Sequence, residues 1–79
     1  MKTRKQEYGT SNIVGKNIES IRKSKGIKQK EFIAKLQIAG LDMNPTSFSK
    51  LEGQLRSATD KEIFIIAKVL DVDIKELFM

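Results

Sequence analysis

Apolar residues recur at helical spacing through nearly the whole chain, and no segment alternates with the period of two that marks a half-buried strand. Ile13, Val14, Ile18 and Ile21 fall on one face, and Phe32, Ile33 and Leu36 on a second. Phe48 and Leu51 make a third, Ile63, Ile66, Ala67 and Leu70 a fourth, and Ile74, Leu77 and Phe78 a fifth. The pattern predicts an all-α chain, a bundle of five short helices around one apolar core. Spacing assigns Phe48, Leu51, Phe64 and Phe78 to that core.

Polar punctuation places the boundaries. Asn12 is the N-cap for a first helix over residues 13 to 25, and Gly26 ends it behind the basic run Arg22-Lys23-Ser24-Lys25, where cations complement the negative helix end. A second helix starts near Lys28 and stops before Gly40. Asn44 followed by Pro45 is a cap with proline at the first helical position, so a third helix covers residues 45 to 51 and Gly53 closes it. Thr59 with Glu62, and Asp73 with Glu76, have the spacing of capping boxes and open the fourth and fifth helices. Residues 1 to 12 lack apolar periodicity and are expected to form a flexible basic tail, leaving 13 to 79 as the domain.

Composition removes several functions. A chain of 79 residues is one small domain. It has no cysteine and no histidine, so disulfides, thiolate metal sites and the commonest general base and metal ligand are all missing. No Asp, Glu, Lys, Ser or Tyr8 spacing suggests a paired acid and base, so neither catalysis nor a cofactor is expected. No apolar run approaches the roughly 18 residues of a membrane span, and the N-terminus lacks the apolar stretch of a signal peptide, which points to the cytoplasm.

Charge is uneven. Residues 1 to 30 hold nine Lys or Arg against Glu7 and Glu19, a net of +7; residues 31 to 58 balance, and residues 59 to 79 carry three basic against five acidic side chains, a net of −2. A basic half suits a polyanion, because each neutralised phosphate releases condensed counterions. The same charge also keeps a small domain dispersed.

The stretch from Gln29 to Glu52 reads as a helix, a turn and a second helix whose first turn offers Asn44, Pro45, Thr46 and Ser47 outward. Such a pair is a helix-turn-helix, whose second helix enters a DNA major groove. The runs VGKNIESIRKSKG, KQKEFIAKL, TSFSKLEGQLR and IFIIAKVLDVDIKELF together resemble the Cro/repressor-type (Xre-like) DNA-binding domains over about residues 13 to 78. The most specific parts are Gly15, Ile18, Ile21 and Arg22, Gln29 with Glu31, SKLEG at 49 to 53, and the closing DVDIKELF. The resemblance implies a lambda-repressor-like bundle, with Gln29 donating to a backbone phosphate and Thr46, Ser47 and Lys50 facing base edges and flanking phosphates. It also implies Asn44 at the cap, Arg56 gripping the backbone from a loop, and the last two helices forming core and dimer surface. Beside these stand plainer roles: capping accounts for Asn44, Thr46 and Ser47, and solvated surface charge for Lys28, Lys50 and Arg56.

Three departures concern the details. The segment 38 to 43 lengthens the turn, so the recognition helix is expected further out or at another angle. Ile33 stands where the family carries alanine, which fits a wider helix crossing, and Lys28 replaces a Ser or Thr cap, losing an acceptor and gaining a cation near the DNA phosphates. Lys2, Arg4 and Lys5 would form either a minor-groove arm or a solubilising tail. The expected function is a non-enzymatic, sequence-specific binder of double-stranded DNA, a transcriptional regulator acting as a homodimer through Leu77 and Phe78. The alternative is a protein-interaction module of the same fold, such as an antitoxin with a toxin partner.

Overall fold

The computed structural model describes residues 7 to 79, and those residues form four α-helices and a terminal 3-10 helix, with no strand among them. The helices are α1 (Gly15–Ser24), α2 (Gln29–Ile38), α3 (Pro45–Glu52) and α4 (Asp60–Leu70), and the 3-10 helix covers Ile74–Phe78. The fifth helix expected from the sequence is therefore a single tighter turn. Asp73 still caps it, accepting from the Lys75 amide while Glu76 reaches back to the Asp73 amide.

Starts are set by side-chain acceptors that take otherwise unpaired first-turn amides. Asn44 accepts from the Ser47 amide at 2.7 Å, with Pro45 in the first helical position of α3. Thr59 and Glu62 close a capping box on α4. Asn12 accepts from the Gly15 amide at 2.8 Å, so α1 begins two residues later than the sequence suggests. Ile13 lies in that turn and is 65% exposed rather than in the core. Lys28 precedes α2 without a side-chain cap bond.

α3 packs on α1 and α2, whereas α4 packs on α1, α2 and the 3-10 helix. The core between them holds Val14 and Ile18 from α1, Phe32, Ile33 and Leu36 from α2, Phe48 and Leu51 from α3, and Ile66, Ala67 and Leu70 from α4, with Met43 and Leu77 closing its ends. Phe32 and Phe48 meet with ring centroids 5.5 Å apart, tilted by 46°, which fixes how α2 lies on α3. Ile33 is buried as expected. Phe64 is not: it is 56% exposed on the outer side of α4, with the Lys68 ammonium 5.3 Å from its ring centre. Phe78 is 49% exposed.

The long turn between α2 and α3 is a built structure. The Gly40 and Leu41 amides bond back to the Gln37 and Leu36 carbonyls, Gln37 Nε2 donates to the Met43 carbonyl at 3.3 Å, and Met43 is buried.

Residues 8 to 12, expected to be free, instead form a strap across the C-terminal end of α3. The Gly9 amide donates to the Gly53 carbonyl and the Ser11 amide to the Gln54 carbonyl. Asn12 Nδ2 donates to the carbonyls of Leu51 and Arg56, and Gln54 Nε2 returns a bond to the Asn12 carbonyl at 2.7 Å. Tyr8 donates to the buried Glu19 carboxylate, and Lys16 stands 5.6 Å over the Tyr8 ring centre. Gly9 is required where the strap crosses, since a Cβ there would lie 2.3 Å from the Gln54 carbonyl oxygen. The domain thus begins ahead of residue 13, and the basic side chains Lys2, Arg4 and Lys5 lie outside the described residues.

Candidate functional site

The structure brings most of the sequence-selected polar residues to one side. α3 presents Thr46, Ser49 and Lys50 as exposed side chains, with exposed Asn44 and Pro45 at its start and Ser47 half-buried. Beside this row lies the N-terminal end of α2. Ser49 Oγ donates to Gln29 Oε1 at 3.2 Å, and Gln29 Nε2 donates to Glu52 Oε1 at 3.2 Å, so Gln29 is held against α3 at both ends of its amide. Lys28, exposed at the cap position just before it, adds a cation next to the unpaired first-turn amides of α2. That end of a helix favours anions on two counts, through its amides and its dipole.

Glu52 anchors this arrangement. Its side chain is fully buried and makes a two-pronged pair with Arg22, from Nε to Oε2 at 2.7 Å and from Nη2 to Oε1 at 3.1 Å. Arg22 Nη1 donates to the Ile27 carbonyl at 2.7 Å, tying the α1–α2 link to the same group. The pair thus joins α1 to α3, and through Gln29 it reaches α2. Sequence reasoning picked out Arg22 and Glu52 separately but not their union. Among the described residues no buried side-chain nitrogen or oxygen lacks a hydrogen-bond partner.

Arg56 has a different use from the one the resemblance implies. Nε donates to the Ser47 carbonyl at 3.1 Å, Nη1 to the Ser57 carbonyl and Glu62, and Nη2 to Glu62 and the Met43 sulfur. A guanidinium has five N–H donors, and all five are spent inside the protein. Arg56 is a brace between the first turn of α3 and the first turn of α4, not a side chain free to grip a phosphate. Leu77 is also reassigned: it is fully buried in the core of the chain itself, so of the two residues expected at a dimer surface only Phe78 faces outward.

Burial pushes the Glu62 carboxyl up, but the hydrogen bond from Arg56, the Thr59 amide and the Arg56 charge together outweigh it, and its pKa lies below the ordinary value of 4.5. A carboxyl whose folded pKa is depressed binds protons more readily when unfolded. Its stabilisation is therefore present above pH 4.5 and is lost as the pH falls through the lower folded value. Urea titrations across that acid window should show a steeper loss of stability for the parent than for Glu62→Gln. Equal slopes would show that the Arg56–Glu62 brace contributes nothing.

Among the described residues no group of His, Cys, Asp or Glu is arranged to hold a metal ion, and no helix is long and apolar enough to cross a membrane. Comparison with protein-family models, with curated proteins and with solved structures returns no match.

Proposed function

We propose that the protein is a sequence-specific binder of double-stranded DNA, a transcriptional regulator of the cytoplasm in which α2 and α3 serve as a helix-turn-helix and α3 enters the major groove, two copies acting together. The observation that carries this reading is the Gln29–Ser49 hydrogen bond at 3.2 Å. It sets the anion-favouring end of α2, with Lys28, alongside the exposed row of α3. A duplex needs that juxtaposition: a phosphate contact at one helix start and base-reading side chains on the neighbouring helix. The net +7 carried by residues 1 to 30 supports it.

Four residues divide the work. Lys28 and Gln29 meet a backbone phosphate, and Thr46 and Lys50, with the end of α3 held by Asn44, address base edges. The Gln29 amide nitrogen keeps one N–H beyond its bond to Glu52, and that donor is the one available to a phosphate. Ser47 is half-buried, so its hydroxyl is less open to a base edge than the side chains of Thr46 and Lys50.

The test is binding to random and selected duplexes as a function of salt. Affinity should fall with a log-log slope of about −0.9 per phosphate neutralised, and Lys28→Ala should flatten that slope by about one. Replacing Thr46 and Lys50 together by Ala should change which sequences are selected, each lost base contact counting about 1–3 kcal/mol. Salt-independent affinity, or an unchanged selected site, overturns the reading.

A further inference from the structure

We propose that the strap over residues 8 to 12 is a positioning device for α3, clipped on by Asn12 and Gln54 and acting on the first turn of α3 through Arg56. Its part in choosing bases rests on the DNA-binding reading above, whereas its hold on α3 does not.

The first sign is a glutamine where glycine is the default. α3 ends in a turn in which the Gln54 amide donates to the Leu51 carbonyl at 3.0 Å and the Leu55 amide to the Lys50 carbonyl at 2.8 Å. That pattern puts the residue after the cap in the left-handed region, which suits glycine. Gln54 occupies it, at φ +60°. A side chain held in so unfavourable a backbone region persists only where its surroundings over-determine it. Here the surroundings are the strap. Gln54 Nε2 donates to the carbonyls of Asn12 at 2.7 Å and Ile13 at 3.3 Å, and the Gln54 carbonyl accepts from the Ser11 amide at 2.9 Å. Glycine would suit the turn better and could not hold the strap.

Asn12 grips from the other side. Its Oδ1 accepts from the Gly15 amide at the start of α1, while Nδ2 donates to the carbonyl of Leu51, in the last turn of α3, and to that of Arg56 in the following loop. Arg56 in turn donates from Nε to the Ser47 carbonyl and from Nη2 to the Met43 sulfur. The loop that the strap holds by its backbone therefore holds the opposite end of α3 by a side chain. Tyr8, donating to Glu19, ties the far end of the strap to α1, so both ends of α3 are referred to α1. Thr46 stands beside the first grip and Lys50 beside the second. A recognition site works when its side chains are held within roughly 0.5 Å and 10–20° of the required geometry, and the strap supplies that hold from outside the helix pair.

Amide hydrogen exchange of the full chain, followed by NMR, tests the hold without DNA, with thermal melts to confirm folding. Three variants release the strap differently. Gln54→Gly removes one clip and should melt near the parent, since the strain it relieves offsets the bonds it loses. Asn12→Asp keeps the acceptor for Gly15 and removes both donors, and Gly9→Ala sets a Cβ 2.3 Å from the Gln54 carbonyl oxygen. In each, the Gly9 and Ser11 amides should exchange faster. So should the Phe48 amide, which bonds to the Asn44 carbonyl in the first turn of α3, by at least about fivefold, while Leu36 and Leu70 exchange as in the parent. With duplex DNA, the preference of Gln54→Gly for the selected site over random sequence should fall about tenfold, and its salt slope should match the parent's because Lys28 is untouched. A strap freed at Gly9 and Ser11 with Phe48 unmoved would be a local cover for the end of α3 and would overturn the proposal, as would strap amides unmoved in all three variants. A freed strap that leaves site preference within about twofold of the parent overturns its part in base choice. A parent that binds no duplex overturns the DNA reading instead, and the exchange rates still decide on the strap.

Discussion

Replacing Glu52 by Ala is expected to cost about 3–5 kcal/mol of folding stability, a large part of what a domain of this size possesses. The carboxylate is fully buried, and its removal leaves the Arg22 guanidinium in the interior with its main partner gone. Gln29 loses its acceptor as well, and the link among three helices parts at one point. Much of the cost is the stranded charge. Changing both partners to apolar residues of similar size, Arg22→Met with Glu52→Leu, should therefore recover most of the loss. Urea denaturation followed by circular dichroism measures both. A single variant that loses less than about 1 kcal/mol would show that water reaches Arg22 and that the pair is not a buried anchor.

Gly15→Ala should be comparably damaging, although exchanging glycine for alanine inside a helix ordinarily stabilises by about 1 kcal/mol. The sign reverses because α1 and the end of α3 touch backbone to backbone. A Cβ at Gly15 would lie 2.1 Å from the Leu51 carbonyl oxygen and 2.9 Å from that of Glu52. Neither oxygen is the end of a flexible side chain, so relief requires α1 to move off α3. That movement would disturb Val14, Ile18 and Leu51 and stretch the Arg22–Glu52 pair together. A loss of roughly 2–3 kcal/mol or more is expected from overpacking at a rigid site. Ser20→Ala, on the exposed side of the same helix, serves as the control and should change little or stabilise slightly. If Gly15→Ala melted with the parent, the close approach would have to be softer than this geometry allows.

What the sequence made legible follows from the range of the interactions involved. Asn44, Thr59 and Asp73 act on amides two or three residues away, so their caps could be read without a fold. Ile18, Leu36, Leu51 and Ile66 sit on unambiguous helical faces, and all are buried. Spacing puts Phe64 in the core wrongly because the run Ile63-Phe64-Ile65-Ile66 is apolar on every side, and periodicity cannot choose a face when none is polar. Sequence alone leaves Arg56 a surface or phosphate-facing cation because only part of its bracing is local: Ser57 and Glu62 lie one and six residues on, but Ser47 and Met43 precede it by nine and thirteen. The strap left no trace at all, since it is held largely by backbone carbonyls. For the candidate site, the family resemblance nominates Gln29, Thr46 and Lys50, and their contact with DNA stays a proposal. It could not show that Gln29 is clamped between Ser49 and Glu52, which is what aligns the two helices.

The strap also fixes an order of events when the chain is made. Asn12 leaves the ribosome early, but the carbonyls it must meet belong to Leu51 and Arg56, separated from it by 39 and 44 positions. Arg22 likewise waits 30 positions for Glu52. The first helix can wind as soon as it emerges, but until those later residues are synthesised it has neither its ion-pair partner nor the peptide surface against which Gly15 fits. Folding therefore closes from the two ends of one long loop, unusual for a small helical protein in which most contacts are local and assembly is correspondingly fast. A nascent chain stopped short of Arg56 would hold helices but no finished interior, leaving its apolar faces open to whatever in the cell attends to unfinished proteins.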